Sequence, residues 1–198
     1  MTTLAVIVGR KALHESIKGA AAHILSIVDD VLDLARVEAG AMPINLEDLL
    51  LGDEIAAVVD LIESLAAQPG IKVVCSGPSI AVRADQRRLR QIILNLVSNA
   101  IRFSAPSTQV RILTEAADGS ARIHVVDEGP GIPAELMARL FVPFDRLGAD
   151  AGREGGAGLG LVLARRLSEA MGGSLKLESV VGVGTHAVVV LATAADKF

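Results

Sequence analysis

Between Lys11 and Ala39 apolar residues recur in alternating steps of four and three, at Leu13, Ile17, Ala20, Ile24, Ile27, Val31 and Leu34, with no proline among them. This is a heptad seam, and it predicts one long helix. A second row, Leu25, Val28, Leu32 and Ala35, lies beside the first, so the apolar face is wider than a two-stranded zipper requires and suits a helical bundle. Gly40 stands where a C-cap is needed.

After Gly40 the pattern changes. Pro43 to Leu51 reads as a short strand and linker, and Gly52 to Ala67 as an amphipathic helix stopped by Gln68-Pro69-Gly70. Two short β-type runs follow, Ile71 to Cys75 and Ile80 to Arg83; Cys75 is read as a core position. Asp85 is a good N-cap for a helix reaching Phe103, whose buried face is Leu89, Ile92, Ile93, Leu96, Val97 and Ala100. Strands Gln109 to Glu115 and Ala121 to Val126 are joined by an Asp118-Gly119 turn. A short helix from Pro133 to Phe141 leads into a Gly-rich loop from Asp145 to Ala157. A helix from Leu159 to Met171 then precedes a last pair of strands, Leu175 to Ser179 and His186 to Leu191. The expectation is an α+β fold: a two-layer α/β sandwich with a mixed sheet, preceded by a long bundle-forming helix. Residues 1–41 form the N-terminal segment and helix, and 42–198 the main domain.

Composition narrows the possible functions. The 198 residues are 51% hydrophobic and 21% charged, enough apolar material for a core. Aromatics are only 2% and the net charge is −4, which argues against nucleic-acid binding through stacked bases or phosphate contacts. No apolar run approaches the roughly 18–20 residues needed to cross a bilayer, so a membrane enters the expectation only through a part of a longer protein. The single cysteine forms no internal disulfide, and a cytoplasmic setting is expected.

Three segments carry candidate chemistry. In Asn95-Leu96-Val97-Ser98-Asn99 a spacing of four stacks two carboxamides on one helix face, where their oxygens can serve Mg²⁺ alongside phosphate; two asparagines on a solvated face is the alternative. Asp127-Glu128-Gly129-Pro130-Gly131-Ile132 follows a strand. It is a poor dinucleotide fingerprint, since Pro130 and Pro133 replace amide donors and the acid precedes the glycines. A carboxylate there, with glycines allowing close approach, can accept from the exocyclic amine of a purine; an ordinary tight turn is the alternative. Gly155-Gly156-Ala157-Gly158-Leu159-Gly160 opens a helix and offers backbone amides to an anion, without the Lys-Ser or Lys-Thr of a P-loop. The polar stretch before it reads as a lid, or as a plain surface loop.

In order along the chain, these segments resemble the catalytic and ATP-binding domain of sensor histidine kinases, within the Bergerat-fold ATPases. The resemblance spans about Leu46 to Leu191 and includes Asn95 to Asn99 with Ala100-Ile101-Arg102-Phe103-Ser104, and Asp127-x-Gly129-x-Gly131-Ile132. It also includes Phe141-Val142-Pro143-Phe144-Asp145-Arg146, Gly156 to Gly160, and Gly182-Val183-Gly184-Thr185. The helix ending Asp33-Leu34-Ala35-Arg36-Val37-Glu38-Ala39-Gly40 resembles the second helix of the family's dimerisation and phosphotransfer hairpin.

The resemblance implies ATP and Mg²⁺ as cofactors. It assigns Asp127 to the adenine amine, with Gly129, Gly131, Ile132 and Thr185 around it; Asn95 and Asn99 to Mg²⁺ and phosphates; and Arg102 to a basic position near phosphate. Gly156, Gly158, Leu159, Gly160 and Arg146 line the remaining nucleotide side. Hydrolytic members of the superfamily resemble this helix but carry a glutamate where Asn95 stands, as base for the attacking water; a carboxamide cannot take a proton. The implied function is an ATP-dependent protein-histidine kinase core of a two-component system, homodimeric through the N-terminal helix, with a response regulator as partner. The pattern breaks at the acceptor. Met1 to Leu13 leaves no room for a first hairpin helix, so the phosphorylated histidine is expected outside this chain. His14-Glu15 echoes the acceptor dipeptide but is followed by Ser16-Ile17-Lys18, and His14 stays a candidate. The alternatives are a non-catalytic ATP-binding dimerisation or docking module, and a serine kinase of the anti-sigma-factor type.

Overall fold

The computed structural model describes residues 17, 21, 24–67, 70–145 and 157–194. Helix α1 occupies residues 24–38, with Ile17 and Ala21 also helical; the rest of the predicted Lys11–Ala39 helix, including His14 and His23, lies outside the described residues. The helix ends as its sequence predicts. Gly40 donates to the Val37 carbonyl at 3.0 Å and Ala41 to that of Arg36 at 2.9 Å, the bond pair of a Schellman cap.

The elements that follow are β1 (Glu47–Leu50), α2 (Leu51–Ala67), β2 (Lys72–Ser76), β3 (Ala81–Ala84), α3 (Gln86–Phe103), β4 (Gln109–Ala117) and β5 (Ser120–Val126). Then come α4 (Ala134–Met137) with a 3₁₀ turn over Ala138–Phe141, α5 (Gly160–Ala170), β6 (Ser174–Val180) and β7 (Gly184–Ala192). Asp85 caps α3, its side chain accepting from the Arg88 amide at 3.0 Å. Five strands form one sheet in the order β2-β4-β5-β7-β6, with β2 parallel to β4 and the other pairs antiparallel. β2 and β3, adjacent in sequence, do not pair: β3 joins β1 in a separate two-stranded sheet.

Strand alternation sends Val110 and Ile112 of β4, Ile123 and Val125 of β5, and Val189 and Leu191 of β7 to one face. There they meet Ile55 and Val58 of α2, Leu89, Ile92 and Ile93 of α3, and Leu163 and Leu167 of α5 in one core. The result is a two-layer sandwich of helices on a mixed sheet. On the opposite face the rings of His124 and His186 stack, with Nδ1 of the first 2.9 Å from Nε2 of the second. Cys75 corrects the sequence reading. Burial falls from Ile71, just before the edge strand β2, through Val73 to Cys75, which is exposed near the far end of the strand.

α1 docks on this domain by a mixed apolar and ionic stripe. Leu34 packs with Leu159 and Val162 at the start of α5. Beside it Arg88 Nη1 donates to Asp33 Oδ2 at 2.7 Å, with both residues 7% exposed, and Gln91 Nε2 donates to the same oxygen at 3.3 Å. Asp30, half-buried one turn earlier, has its pKa raised by burial and by the charges of Asp33 and Asp29. Much of the predicted seam points elsewhere: Ile24, Leu25, Val28, Val31 and Leu32 are exposed. No helix among the described residues is long and apolar enough to cross a membrane.

Candidate functional site

At one end of the sheet the apolar rows facing the helices run out into polar residues. The buried row of β5 passes from Val125 to Asp127, that of β7 from Ala187 to Thr185, and that of β6 from Leu177 to Ser179. Because side chains alternate with a period of two, all three polar residues stand on the helix-facing side. The β5–β7 register, which sets Val126 opposite His186, brings Asp127 to Thr185.

Asp127 is held by its backbone and by one carboxylate oxygen. Its amide donates to the Thr185 carbonyl at 2.9 Å. Oδ1 accepts from the amides of Gly129 at 2.9 Å and Thr185 at 3.0 Å, while Oδ2 has no partner among the described residues. Two backbone donors therefore fix the carboxylate and leave its second oxygen open as an acceptor. Burial raises the Asp127 pKa, and the two backbone hydrogen bonds pull it partly back.

The loop after Asp127 is fastened to the β6–β7 hairpin. Ile132 N–H donates to Ser179 Oγ at 2.9 Å, and Gly182 N–H to the Pro130 carbonyl at 2.8 Å. Gly131 lies between them with φ +68, and a Cβ there would stand 2.1 Å from the Val180 carbonyl oxygen. Only glycine fits this crossing.

α3 ends against the same loop, since a Cβ on Gly129 would come 2.8 Å from the Phe103 carbonyl oxygen. Along α3 lie Asn95 and Asn99, half-buried, and the exposed Arg102 in its last turn. Asn95 Nδ2 donates to the Gly160 carbonyl at 3.2 Å, which joins the Asn-bearing face to the first residue of α5 and leaves Oδ1 as a neutral acceptor. Gly158, with φ +73, packs where a Cβ would lie 3.0 Å from the Asp145 carbonyl oxygen. That segment is set by Arg139, whose guanidinium holds the Asp145 carboxylate through two bonds of 2.8 and 3.0 Å. Arg165 of α5 lies over the Phe141 ring, 4.8 Å from its centroid.

The structure thus groups Asp127, Gly129, Gly131, Ile132 and Thr185 at the strand ends, and Asn95 with Gly158 and Gly160 at the start of α5. Leu159 can serve the site through its backbone alone, for its side chain is buried against Leu34 and Val162. Arg146 and Gly156 lie outside the described residues. Ser179 was missed by the sequence reading. Its signal is a polar residue continuing the row Leu175, Leu177 on β6, opposite Thr185 in the register.

A sequence profile of the histidine kinase-, DNA gyrase B-, and HSP90-like ATPases matches residues 84–195. The chain belongs to this family. The matched ATPase region runs from the end of β3 to just beyond β7 and contains every described site residue above. The histidine protein kinase DivJ of Caulobacter vibrioides is 34% identical over 175 residues, which is 87% of this chain and 29% of DivJ. The circadian input-output histidine kinase CikA of Synechococcus elongatus is also 34% identical, over 88% of this chain and 23% of CikA. The chain thus spans less than a third of either relative. Among solved structures, full-length ShkA in complex with AMPPNP superposes with a TM-score of 0.82 at 33% identity, over 95% of this chain and 40% of ShkA. The ATPase fold and ATP as its nucleotide follow from the family, and the α+β sandwich matches the sequence expectation.

Proposed function

We propose that this chain is the catalytic core of a protein-histidine kinase, moving the γ-phosphoryl group of ATP to a histidine outside the chain. The observation that carries this reading is Asp127, with one carboxylate oxygen bound by two amides and the other open, on a loop that meets the end of the Asn95–Asn99 helix. In this reading Asp127 Oδ2 accepts from the adenine amine, and Gly131 and Thr185 border the ring. Backbone amides from Gly158 to Gly160, at the start of α5, receive the phosphates, and Arg102 adds positive charge near them.

The donor set fits Mg²⁺. Asn95 Oδ1 and Asn99 Oδ1 are hard neutral oxygens one helical turn apart, and no cluster of three His, Cys, Asp or Glu competes for the ion among the described residues. When bound, Mg²⁺ supplies charge neutralisation to the phosphates. Phosphoryl transfer asks mainly for positioning and charge stabilisation, which this arrangement offers. Asn95 has no proton-accepting group for water, so the phosphoryl group is left for a protein nucleophile.

Residues 1–41 are proposed as the bundle segment and 42–198 as the ATP-binding domain. The exposed apolar stripe Ile24, Leu25, Val28 and Leu32 supports homodimerisation through α1. A response regulator is the proposed downstream partner, and the cytoplasm, where MgATP is abundant and a lone thiol stays reduced, the proposed setting. The test is incubation with Mg²⁺ and γ-labelled ATP, with and without a hairpin fragment carrying the family's acceptor helix. Acid-labile label on the fragment alone is expected. Label on this chain alone would make His14 or His23 the acceptor, and ATP bound without any label would reduce the chain to a binding module.

A further inference from the structure

Ser179 Oγ sits among three partners: the Ile132 amide at 2.9 Å, the Gly184 carbonyl at 2.8 Å and Thr185 Oγ1 at 3.0 Å. A serine hydroxyl has one hydrogen and two lone pairs. The carbonyl can only accept, so it takes the single hydrogen. The amide can only donate, so it takes one lone pair. The remaining lone pair faces Thr185, and the bond between the two hydroxyls is satisfied only if threonine is the donor. The Thr185 hydrogen is thereby turned toward Ser179, and its oxygen presents lone pairs alone to anything else nearby. Asp127, hydrogen-bonded to the Thr185 amide and half-buried, already presents a carboxylate oxygen at the same strand ends.

We infer that Ser179 is a positioning residue that sets base specificity: by holding the Thr185 hydroxyl as an acceptor, it makes the site read the purine 6-position as a hydrogen-bond donor. A 6-amino purine meets two acceptors with two N–H groups. A 6-oxo purine brings a carbonyl oxygen against the same acceptors, and no hydroxyl hydrogen is available to meet it. This rests on the nucleotide-site reading above and deepens it by naming the residue that polarises the site.

The experiment compares ATP with ITP, which share sugar and phosphates and differ on the base in the 6-substituent and in the N1 hydrogen that the 6-oxo form carries, by calorimetric titration of the full chain with Mg²⁺. The native chain is expected to prefer ATP by about 100-fold, since a site built for one hydrogen-bond polarity rejects the other strongly. Ser179→Ala frees the Thr185 hydroxyl to rotate and donate to a 6-oxo group. The preference is then expected to fall by about tenfold, with ITP binding gaining as ATP binding weakens, and Ser179→Thr is expected to restore it. If Ser179→Ala does not fold, Thr185→Val, which removes the acceptor at nearly constant shape, is expected to weaken ATP and to strengthen ITP, whose 6-oxo oxygen then meets no lone pair there. Equal weakening of both nucleotides in either variant would make Ser179 merely structural and overturn the inference while leaving the nucleotide site intact. A native chain that binds neither nucleotide would instead overturn the functional reading, and the inference with it.

Discussion

Asp127→Asn is expected to weaken ATP binding by roughly 30- to 1,000-fold, ~2–4 kcal/mol, from the loss of a charge-assisted hydrogen bond and the donor-on-donor contact that replaces it. Asparagine has one acceptor and one donor end. With its oxygen toward the Gly129 and Thr185 amides, its NH₂ faces the adenine amine; flipped, its NH₂ faces the two backbone amides instead. Neither orientation satisfies both sides. The fold itself is expected to survive, because burial already disfavours the Asp127 charge and raises its pKa. A carboxyl with a raised pKa favours the folded state in its protonated form, a contribution complete below the ordinary aspartate pKa and lost as pH rises through the raised one. Neutralising the group removes that penalty at neutral pH. The check is calorimetry with ATP alongside thermal unfolding: affinity lost with the melting temperature unchanged or higher.

Acid acts on the same group. ATP affinity is expected to fall by about tenfold per pH unit once pH drops below the Asp127 pKa, starting above the range of an ordinary aspartate. An adenosine-only ligand isolates this from titration of the phosphates. An affinity that does not change with pH across that interval would remove Asp127 from the adenine contact.

Asp33→Ala is expected to release α1 from the domain. The carboxylate neutralises Arg88 in a setting where both residues are 7% exposed, and removing one partner of a buried pair costs about 3–5 kcal/mol through the charge left behind. Undocking α1 returns Arg88 to water and is the cheapest relief, for the other apolar contacts of α1 among the described residues are few: Leu34 with Leu159 and Val162, and the partly buried Val37 against the main core. Amide hydrogen exchange over residues 24–38 should therefore quicken sharply while α3 and β5 keep their protection. The double variant Asp33→Leu with Arg88→Met should recover much of that protection, since apolar replacements of both partners leave no orphan charge. Unchanged exchange in Asp33→Ala would mean that apolar packing alone holds the helix. Leu34 touches the residue between Gly158 and Gly160, so undocking also loosens one wall of the proposed phosphate site.

Local chemistry made much of this fold legible. The Gly40 cap, the Asp85 N-cap and the Asp118-Gly119 hairpin turn are each satisfied within a few residues and stand where the pattern puts them, the strands flanking the turn running closer to it than expected, to Ala117 and from Ser120. The pairing of β2 with β4 rather than β3 was not legible, because strand partners are chosen by long-range packing and not by adjacency. Cys75 failed for the same reason: an apolar run says nothing of how burial falls along an edge strand.

The site divides in the same way. Asn95, Asp127 and Gly158 announce themselves by residue type and spacing, since carboxamides four apart and a carboxylate before glycines are local patterns. Ser179 and the Asp33–Arg88 pair do not. Asp33 looks like an outward polar position between Leu32 and Leu34, and it is buried only because Arg88, 55 residues away, supplies the counter-charge. Ser179 matters through a cross-strand register that no short window contains.

Nucleotide is expected to lie between the Asp127 loop and the start of α5, and amide NMR of the chain titrated with Mg²⁺ and AMPPNP reads that placement residue by residue. The largest shifts are expected at Gly129, Gly131 and Thr185 on the adenine side and at Asn99, Gly158 and Gly160 on the phosphate side. Shifts confined to the opposite face of the sheet, around His124 and His186, or saturable binding that leaves the Asp127 loop unmoved, would contradict it.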